Sequence, residues 1–390
     1  MLFERVDSAE SVRQVIEAAS QGLVERQNLV ELVVLSAVAR SHLLVIGPPG
    51  TAKSQAVRRV GRALGGDFFE YLLGRFTEPS EIFGPVDLRK LRDGVVETQT
   101  KGMLPEAEIA FLDEVFQGST AILNTLLGLL NERVFRRGHT RIECPLRVCV
   151  GAANHLPADE SLAAFADRFL VHVFVEPVGP TRLEELLAEG WRLDGQTTEP
   201  LASMSQIDTL AEAARDVAMQ AVQPRLADAV RQLRQAGVEL SDRRIVRAQR
   251  LVAAACVLDG RDEPDERDLW PLVYAISAHD QQQLARDVLR DVLEPSQNEA
   301  LGAAAEDASL GPAARADRLA RTARSLLEGA PDSPGRDWFL ELEAVAREID
   351  ASFTPEQVPE DLSGVREAVI ERLESRREDA DVSTELEAEV

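Results

Sequence analysis

Residues 47–54 read Gly-Pro-Pro-Gly-Thr-Ala-Lys-Ser, directly after the apolar run of residues 42–46 and before a helical pattern over residues 54–64. A glycine-containing loop between a strand and a helix is the setting that a phosphate-binding loop requires. In such a loop, successive backbone N–H groups and the helix N-terminus bind phosphate oxygens. Lys53 would add a positive charge for the β- and γ-phosphates, and the Ser54 hydroxyl can ligate magnesium. The alternative is an ordinary Gly/Pro turn that opens a helix.

One position departs from the usual pattern of this loop. Ala52 stands where a glycine commonly precedes the lysine. We expect Ala52 to adopt the helical conformation of a first turn, so that the loop keeps its shape. The candidate nucleotide ligands are therefore Gly47, Pro48, Pro49, Gly50, Thr51, Ala52, Lys53 and Ser54.

An acidic pair ends another apolar run, because residues 109–114 read Ile-Ala-Phe-Leu-Asp-Glu. A strand that ends in two carboxylates can place one acid on a magnesium ion and the other beside an attacking water molecule. Asp113 would hold the metal together with Ser54, and Glu114 would polarise the water. By itself the pair also fits the start of an ordinary helix. Downstream of a phosphate-binding loop, it predicts a nucleoside triphosphatase.

Further polar residues follow at positions where they can complete such a site. Asn154 follows the strand-like residues 147–151, although a lone asparagine is more often a turn or cap residue. Arg168, in Ala-Asp-Arg-Phe, can serve its own site, the γ-phosphate of a neighbouring subunit or a structural ion pair. Arg243 and Arg244 begin a helix after Ser-Asp and offer another phosphate contact.

Alternating strands and helices through about residue 180 predict an α/β fold with a parallel sheet between two helical layers. Strands are predicted at 42–46, 68–72, 109–112, 147–151 and 171–175, with hairpins at 86–100 and 134–144 and helices at 8–40, 54–64 and 119–131. Beyond residue 180 the predicted elements are helices only: 181–189, 205–222, 224–236, 241–258, 265–279, 313–328, 336–350 and 362–378, with 294–313 as a linker or loose helix.

These patterns divide the chain into four parts. We expect an αβα nucleotide-binding core over 1–192, a helical lid over 200–280 and a helical C-terminal region over 281–378. Residues 379–390 are too polar to pack and are expected to be disordered.

The composition of the chain argues against some classes of binding partner. The formal net charge of −24 opposes long-range attraction to nucleic acid and to anionic membranes. The chain has no apolar run long enough to span a bilayer and no signal-like start, and its three cysteines form no Cys-x-x-Cys pair. These features together favour a cytoplasmic protein.

Longer stretches, in the same order, resemble a known family. The chain is similar to AAA+ ATPases of the MoxR branch, and most similar to the RavA subfamily, through residues 47–54, 76–88, 104–115, 121–135 and 152–157, followed by the two arginine motifs. The resemblance covers about residues 1–290 and departs at the C-terminus. RavA-like proteins carry a small β-rich module there, whereas residues 281–390 are predicted to be helical, so a partner that depends on that module is not expected.

The resemblance also implies roles for the candidate residues. Gly47, Gly50, Lys53 and Ser54 match the Walker A loop, and Asp113 and Glu114 match Walker B. Asn154 matches sensor 1, Arg168 the arginine finger that acts across a subunit boundary, and Arg243 sensor 2, with Arg244 as the alternative. The hairpins near 86–100 and 134–144 match the inserts that face the ring pore in this clade.

The function implied is a ring-forming, Mg²⁺-dependent ATPase, expected to be a hexamer, that remodels or assembles a protein complex beside a von Willebrand A domain partner. ATP would be bound by one subunit and completed by Arg168 of the next. One alternative is a nucleic-acid motor of the pore-hairpin clade. The only sequence features that favour it are three arginines on the second predicted hairpin, Arg136, Arg137 and Arg141. Another alternative is a nucleotide-gated scaffold that does not remodel its partners.

Overall fold

A computed structural model describes residues 2–179, 182–192, 199–309, 312–330, 335–353, 359 and 362–373. Its strands are β1 (Leu43–Ile46), β2 (Phe68–Leu72), β3 (Ile109–Asp113), β4 (Val134–Arg137), β5 (Thr140–Glu143), β6 (Val148–Ala153) and β7 (Val171–Phe174). Its helices up to residue 192 are α1 (Leu2–Ser20), α2 (Gln27–Val38), α3 (Lys53–Ala63), α4 (Pro79–Phe83), α5 (Leu88–Arg92), α6 (Thr120–Glu132), α7 (Glu160–Ala166) and α8 (Leu183–Arg192).

The remaining helices are α9 (Met204–Asp216), α10 (Gln223–Gln235), α11 (Asp242–Leu258), α12 (Pro271–Tyr274), α13 (His279–Val288), α14 (Arg290–Leu293), α15 (Gly302–Ser309), α16 (Pro312–Glu328) and α17 (Arg336–Ser352). Residues 362–373 are also helical. None of the helices in the described part of the chain combines the length and the apolar character of a membrane span.

Five strands form one parallel sheet in the order β2-β3-β6-β1-β7, while β4 and β5 form a separate hairpin. Successive residues of β1 point to opposite faces, as the pleat requires. Leu43 and Val45 join a core with α1, α2 and α3, whereas Leu44 and Ile46 join a second core with α6. The three-layer α/β arrangement predicted from the sequence is therefore confirmed.

The sheet register gathers the candidate residues at one edge. β6 lies between β3 and β1, and their pairings match Leu112 with Gly151 and Ile46 with Ala153. Because parallel strands end on the same side, Gly47, Asp113 and Asn154 emerge side by side at the carboxyl edge. This is the edge at which ligands bind in open α/β sheets.

Two predicted elements of the core are wrong in detail. Residues 8–40 form α1 and α2 rather than one helix, because Gly22 and Glu25 take positive φ values of 68° and 56° and break the period. The hairpin predicted over 86–100 pairs only at Val86 and Thr98. Its first arm turns into α5 because the Asp87 carboxylate accepts hydrogen bonds from the next backbone N–H groups, which caps a helix. The second predicted hairpin, over 134–144, is confirmed as β4 and β5.

Three predicted elements beyond the core also differ from the structure. The helix predicted over 205–222 ends at Asp216 and is followed by a 3₁₀ turn over Met219–Ala221. Residues 265–279 divide into a 3₁₀ turn and α12 before α13 begins. The stretch predicted over 294–313 as a linker or loose helix is packed over its residues 294–309, because the Asn298 side chain caps the turn before α15 and Ala304, Ala305 and Ala308 are fully buried in the main core. Helices α16, α17 and 362–373 share a smaller core of their own. The acidic tail over 379–390 lies outside the described residues.

Candidate nucleotide-binding site

The loop between β1 and α3 has the backbone that a phosphate-binding loop needs. Gly47 is buried against β7, where a Cβ atom would lie 2.2 Å from the Val175 carbonyl oxygen, so only glycine fits without displacing that strand end. Gly50 has a φ of +78°, which also favours glycine. The Thr51 hydroxyl donates a 2.9 Å hydrogen bond to the Pro48 carbonyl and closes the turn.

Ala52 does not adopt the conformation predicted for it. Its φ of 59° and ψ of 21° are left-handed, so it lies before the helix rather than in its first turn. The loop must reverse direction at this point for α3 to begin at Lys53, and the left-handed conformation makes that turn. For an L-residue other than glycine this conformation costs about 1–2 kcal/mol. The glycine usual at this position would avoid that cost.

Lys53 extends into the concave side of the loop. Its Nζ donates hydrogen bonds to the carbonyl oxygens of Gly47 at 2.7 Å and Pro48 at 2.8 Å, and the side chain is buried. Burial lowers the pKa of the Lys53 ammonium, while the nearby Asp113 and Glu114 carboxylates oppose that shift. The structure thus brings the loop lysine and the acidic pair together, as the sequence predicts.

Glu114 and Asn154 contact each other directly. The Asn154 Nδ2 donates a 2.7 Å hydrogen bond to the Glu114 Oε1, and the Glu114 N–H donates one of 2.9 Å to the Asp113 Oδ1. Glu114 has a φ of 49°, so the chain turns sharply after β3. As a result, the carboxylates of Asp113 and Glu114 point in different directions. Glu114 and Asn154 line a cavity of about 630 Å³ together with Arg75. A carboxylate oriented by an amide at the edge of a cavity is suited to positioning a water molecule.

Arg26, a buried residue that sequence reasoning missed, holds the phosphate-binding loop in place through hydrogen bonds. The Arg26 Nε donates a 2.8 Å hydrogen bond to the Thr51 carbonyl, and its Nη2 donates one of 2.6 Å to the Glu176 carbonyl. Burial lowers the pKa of its guanidinium, which the Glu25 carboxylate partly offsets. Arg26 thereby links the start of α2, the loop and the end of β7. Nothing in the local pattern around Arg26 signals these contacts.

A cavity of about 600 Å³ adjoins the loop on the side of α8. Its walls come from segments that are distant along the chain: the loop itself, the turn around Leu23 and Val24, the pair Pro177 and Val178, and α8. Most of the lining residues are apolar, which suits the flat ring of a base next to the phosphate-binding loop. Sequence reasoning missed this cavity because its walls are distant along the chain.

Arg168 and Arg243 lie together but away from Lys53. Arg168 precedes β7, whose first residue pairs with Leu43 at the start of β1, so it lies at the amino edge of the sheet. Arg243 donates a 2.6 Å hydrogen bond from Nη2 to the Asn131 Oδ1. Burial and the charge of Arg168 lower the pKa of Arg243, with Asp167 opposing. The two guanidinium groups therefore form a pair on the opposite edge from the loop of their own chain.

Arg244 has a different environment from its neighbour. Its guanidinium donates hydrogen bonds to the carbonyl oxygens of Ala275 at 2.8 Å and Leu170 at 2.7 Å, and to the Asp167 Oδ1 at 3.1 Å. The side chain is buried, and burial lowers its pKa against the opposing charge of Asp167. Because these donors are already used within the chain, Arg243 is the better candidate for a phosphate contact.

The fold and this arrangement of loop, acidic pair and amide define an AAA+ ATPase architecture. A crystal structure of a candidate ATPase from Cytophaga hutchinsonii has this fold, with a TM-score of 0.61 and 16% identity over 74% of this chain and 96% of that one. Residues 10–212 match the model of the MoxR domain in the MoxR-vWA-beta-propeller ternary systems. The chain therefore belongs to the MoxR family of AAA+ ATPases.

Individual relatives agree with this placement. An uncharacterized protein of Methanocaldococcus jannaschii is 34% identical over 66% of this chain and 68% of its own length. Protein MoxR of Paracoccus denitrificans is 29% identical over 42% of this chain and 50% of its own. Chaperone MoxR1 of Mycobacterium tuberculosis is 27% identical over 42% of this chain and 44% of its own. The finer resemblance to the RavA subfamily stays a prediction.

Proposed function

We propose that the protein hydrolyses ATP with Mg²⁺ in a ring, expected to be a hexamer, in which each site is shared by two subunits. The observation that carries this proposal is the separation of the functional residues into two sets. Lys53, Glu114 and Asn154 meet at the carboxyl edge of the sheet, while Arg168 and Arg243 pair at the amino edge. A neighbouring copy can bring its arginine pair to the phosphates held by the loop of the first.

Each residue then has a defined task. The loop N–H groups and Lys53 bind the phosphates, and the apolar cavity beside α8 takes the base. The Ser54 hydroxyl and the Asp113 carboxylate are oxygen donors of the kind that Mg²⁺ prefers, and the ion would neutralise charge on the phosphates. Glu114, oriented by Asn154, would polarise the attacking water. Arg168 and Arg243 of the next subunit would stabilise the charge that develops on the transferred phosphoryl group.

The likeness to MoxR domains of MoxR-vWA-beta-propeller systems supports a particular kind of partner. We propose that a protein with a von Willebrand A domain works with the ring, and that hydrolysis remodels or assembles a protein complex. The name of the mycobacterial relative, a chaperone, agrees with this role. The cytoplasmic location inferred from the sequence belongs to the same proposal.

Complementation between two inactive variants tests the shared site. Lys53→Ala removes the loop lysine, and Arg168→Ala removes the neighbouring arginine, so each pure ring should lose ATP turnover. Since a trans arginine contributes about 10³–10⁵ in rate, mixed rings should recover turnover at interfaces where both residues are intact. Arg231→Ala, an exposed arginine on α10 paired with Asp228, is the matched control and should keep full activity.

One result would contradict the proposal that two subunits share each site. If size measurements show that mixed rings form and no mixing ratio restores turnover, Arg168 does not act across the interface. The partner is tested separately by affinity capture with Glu114→Gln, which should bind ATP without hydrolysing it. A von Willebrand A protein retained only with ATP supports the remodeling role, whereas equal retention without nucleotide argues for a scaffold.

A further inference from the structure

A third cavity, of about 390 Å³, lies at the amino edge of the sheet, across from the phosphate-binding loop. Its lining contains five arginines and no acidic residue: Arg40, Arg133, Arg147, Arg247 and Arg250. They converge from the end of α2, the end of α6, the start of β6 and one face of α11. In a chain of net charge −24, such a concentration of positive charge requires a physical explanation.

The acids nearby account for only part of this charge. Asp208 is paired with both Arg40 and Arg147, and Glu108 lies 3.4 Å from Arg147. Within the part of the chain that the structure describes, the side chains of Arg247 and Arg250, which line the cavity, make no hydrogen bond or ion pair. Burial and the charges of Arg243, Arg250 and Arg168 lower the pKa of Arg247, and the Asp167 carboxylate opposes that shift.

Arg133 is another arginine that lines the cavity. Its Nη2 donates hydrogen bonds to the carbonyl oxygens of Arg40 at 3.0 Å and Arg147 at 3.4 Å, while its Nη1 is buried without a partner among the described residues. Burial lowers the pKa of Arg133 to about 10. A buried guanidinium nitrogen without an acceptor costs free energy, and the negative charge of an anion bound beside Arg133 would offset part of the cost of burying its positive charge.

We propose that this cavity is a second anion site that binds a phosphate-bearing ligand. Arg40 and Arg147 already share the Asp208 carboxylate. The other three arginines of the cavity could bind a ligand that carries more negative charge and more acceptor oxygens than one carboxylate. Phosphate matches that demand, because its oxygens accept bidentate hydrogen bonds from several arginines at once. The volume equals the share of roughly a dozen liquid water molecules, which is room for more than a single phosphate. The site does not rest on the proposed function.

Pyrophosphate titration of the full chain by calorimetry tests the site. The Lys53→Ala background weakens the loop site, so binding that remains reports the arginine cavity. Adding Arg247→Gln and Arg250→Gln should weaken pyrophosphate binding by at least about tenfold, since each removes a charged donor. The matched control adds Arg225→Gln and Arg231→Gln, which removes two exposed arginines from α10 and should leave the affinity unchanged.

The titration has outcomes that contradict the proposed anion site and outcomes that support it. Absence of binding to Lys53→Ala, or equal affinity in the cavity variant and its background, overturns the proposal. A second arm distinguishes two sources of phosphate, using Glu114→Gln filled with ATP and freed of unbound magnesium. Pyrophosphate binding that persists there assigns the cavity to a free ligand. Binding that ATP blocks, and that still depends on Arg247 and Arg250, assigns it to the nucleotide held by a neighbouring copy.

Discussion

Adjacent arginines on α11 should respond in opposite ways to the same substitution. Arg244→Gln removes a guanidinium that is 4% exposed and leaves the carbonyl oxygens of Leu170 and Ala275 and the Asp167 carboxylate without their donor. Removing one partner of a buried charged contact costs about 3–5 kcal/mol. We therefore expect Arg244→Gln to lower the thermal midpoint by at least about 5 °C.

Arg243→Gln should leave the fold intact and reduce activity. The side chain is half-buried, and its single hydrogen bond within the described residues, to Asn131, is worth about 1 kcal/mol. Losing it also relieves the repulsion from Arg168, so the thermal midpoint should change by no more than about 2 °C. If Arg243 contacts phosphate in the transition state, ATP turnover should fall on the order of 10²-fold.

The assay is a pair of measurements on both variants: thermal unfolding by circular dichroism, and ATP turnover at a temperature where both are folded. Arg244→Lys keeps the charge but not the forked geometry, and it should recover only part of the lost stability. The reasoning fails if Arg244→Gln is as stable as the parent and inactive while Arg243→Gln remains active. That pattern would exchange the roles assigned to the two residues.

Other residues lead to further expectations. Burial raises the pKa of Glu31 to about 7, against the lowering effects of the Ala304 N–H and the Arg321 charge. Because this folded pKa exceeds the unfolded one, the carboxyl group stabilises the fold below about pH 4.5 and loses that contribution as the pH rises through 7. Glu31→Gln should thus reduce the fall in unfolding free energy between pH 5 and 8 by about 3 kcal/mol, and identical pH profiles would contradict this. Ala52→Gly should raise the unfolding free energy by about 1 kcal/mol in urea titrations, because glycine accepts the left-handed conformation; a loss of stability would refute the strain. Asn154→Ala should bind ATP normally yet turn it over at least about tenfold more slowly, and unchanged turnover would show that Glu114 needs no orienting amide.

Local pattern alone determined the nucleotide-binding half of the molecule. The strand, loop and helix around residues 43–63 and the strand ending in Asp113 follow from short apolar runs and glycine positions, which act within about ten residues. The predictions that were wrong in this half of the molecule also have local causes. At residues 86–100 the side chain of Asp87 favoured a helix cap over a strand, and at Ala52 loop closure overrode the helical preference of alanine.

Only the tertiary structure decided what the arginines do. A guanidinium on a long, flexible side chain carries no local signal of its partner. The sequence therefore left Arg243 and Arg244 as alternatives and did not single out Arg26 or the cavity arginines. Packing separated them: Arg26 braces the loop, Arg244 joins α11 to the sheet, and Arg243 stays available beside Arg168. The sequence by itself determined the chemistry of the phosphate-binding loop, whereas the edge of the sheet on which each arginine lies depends on contacts between segments distant along the chain.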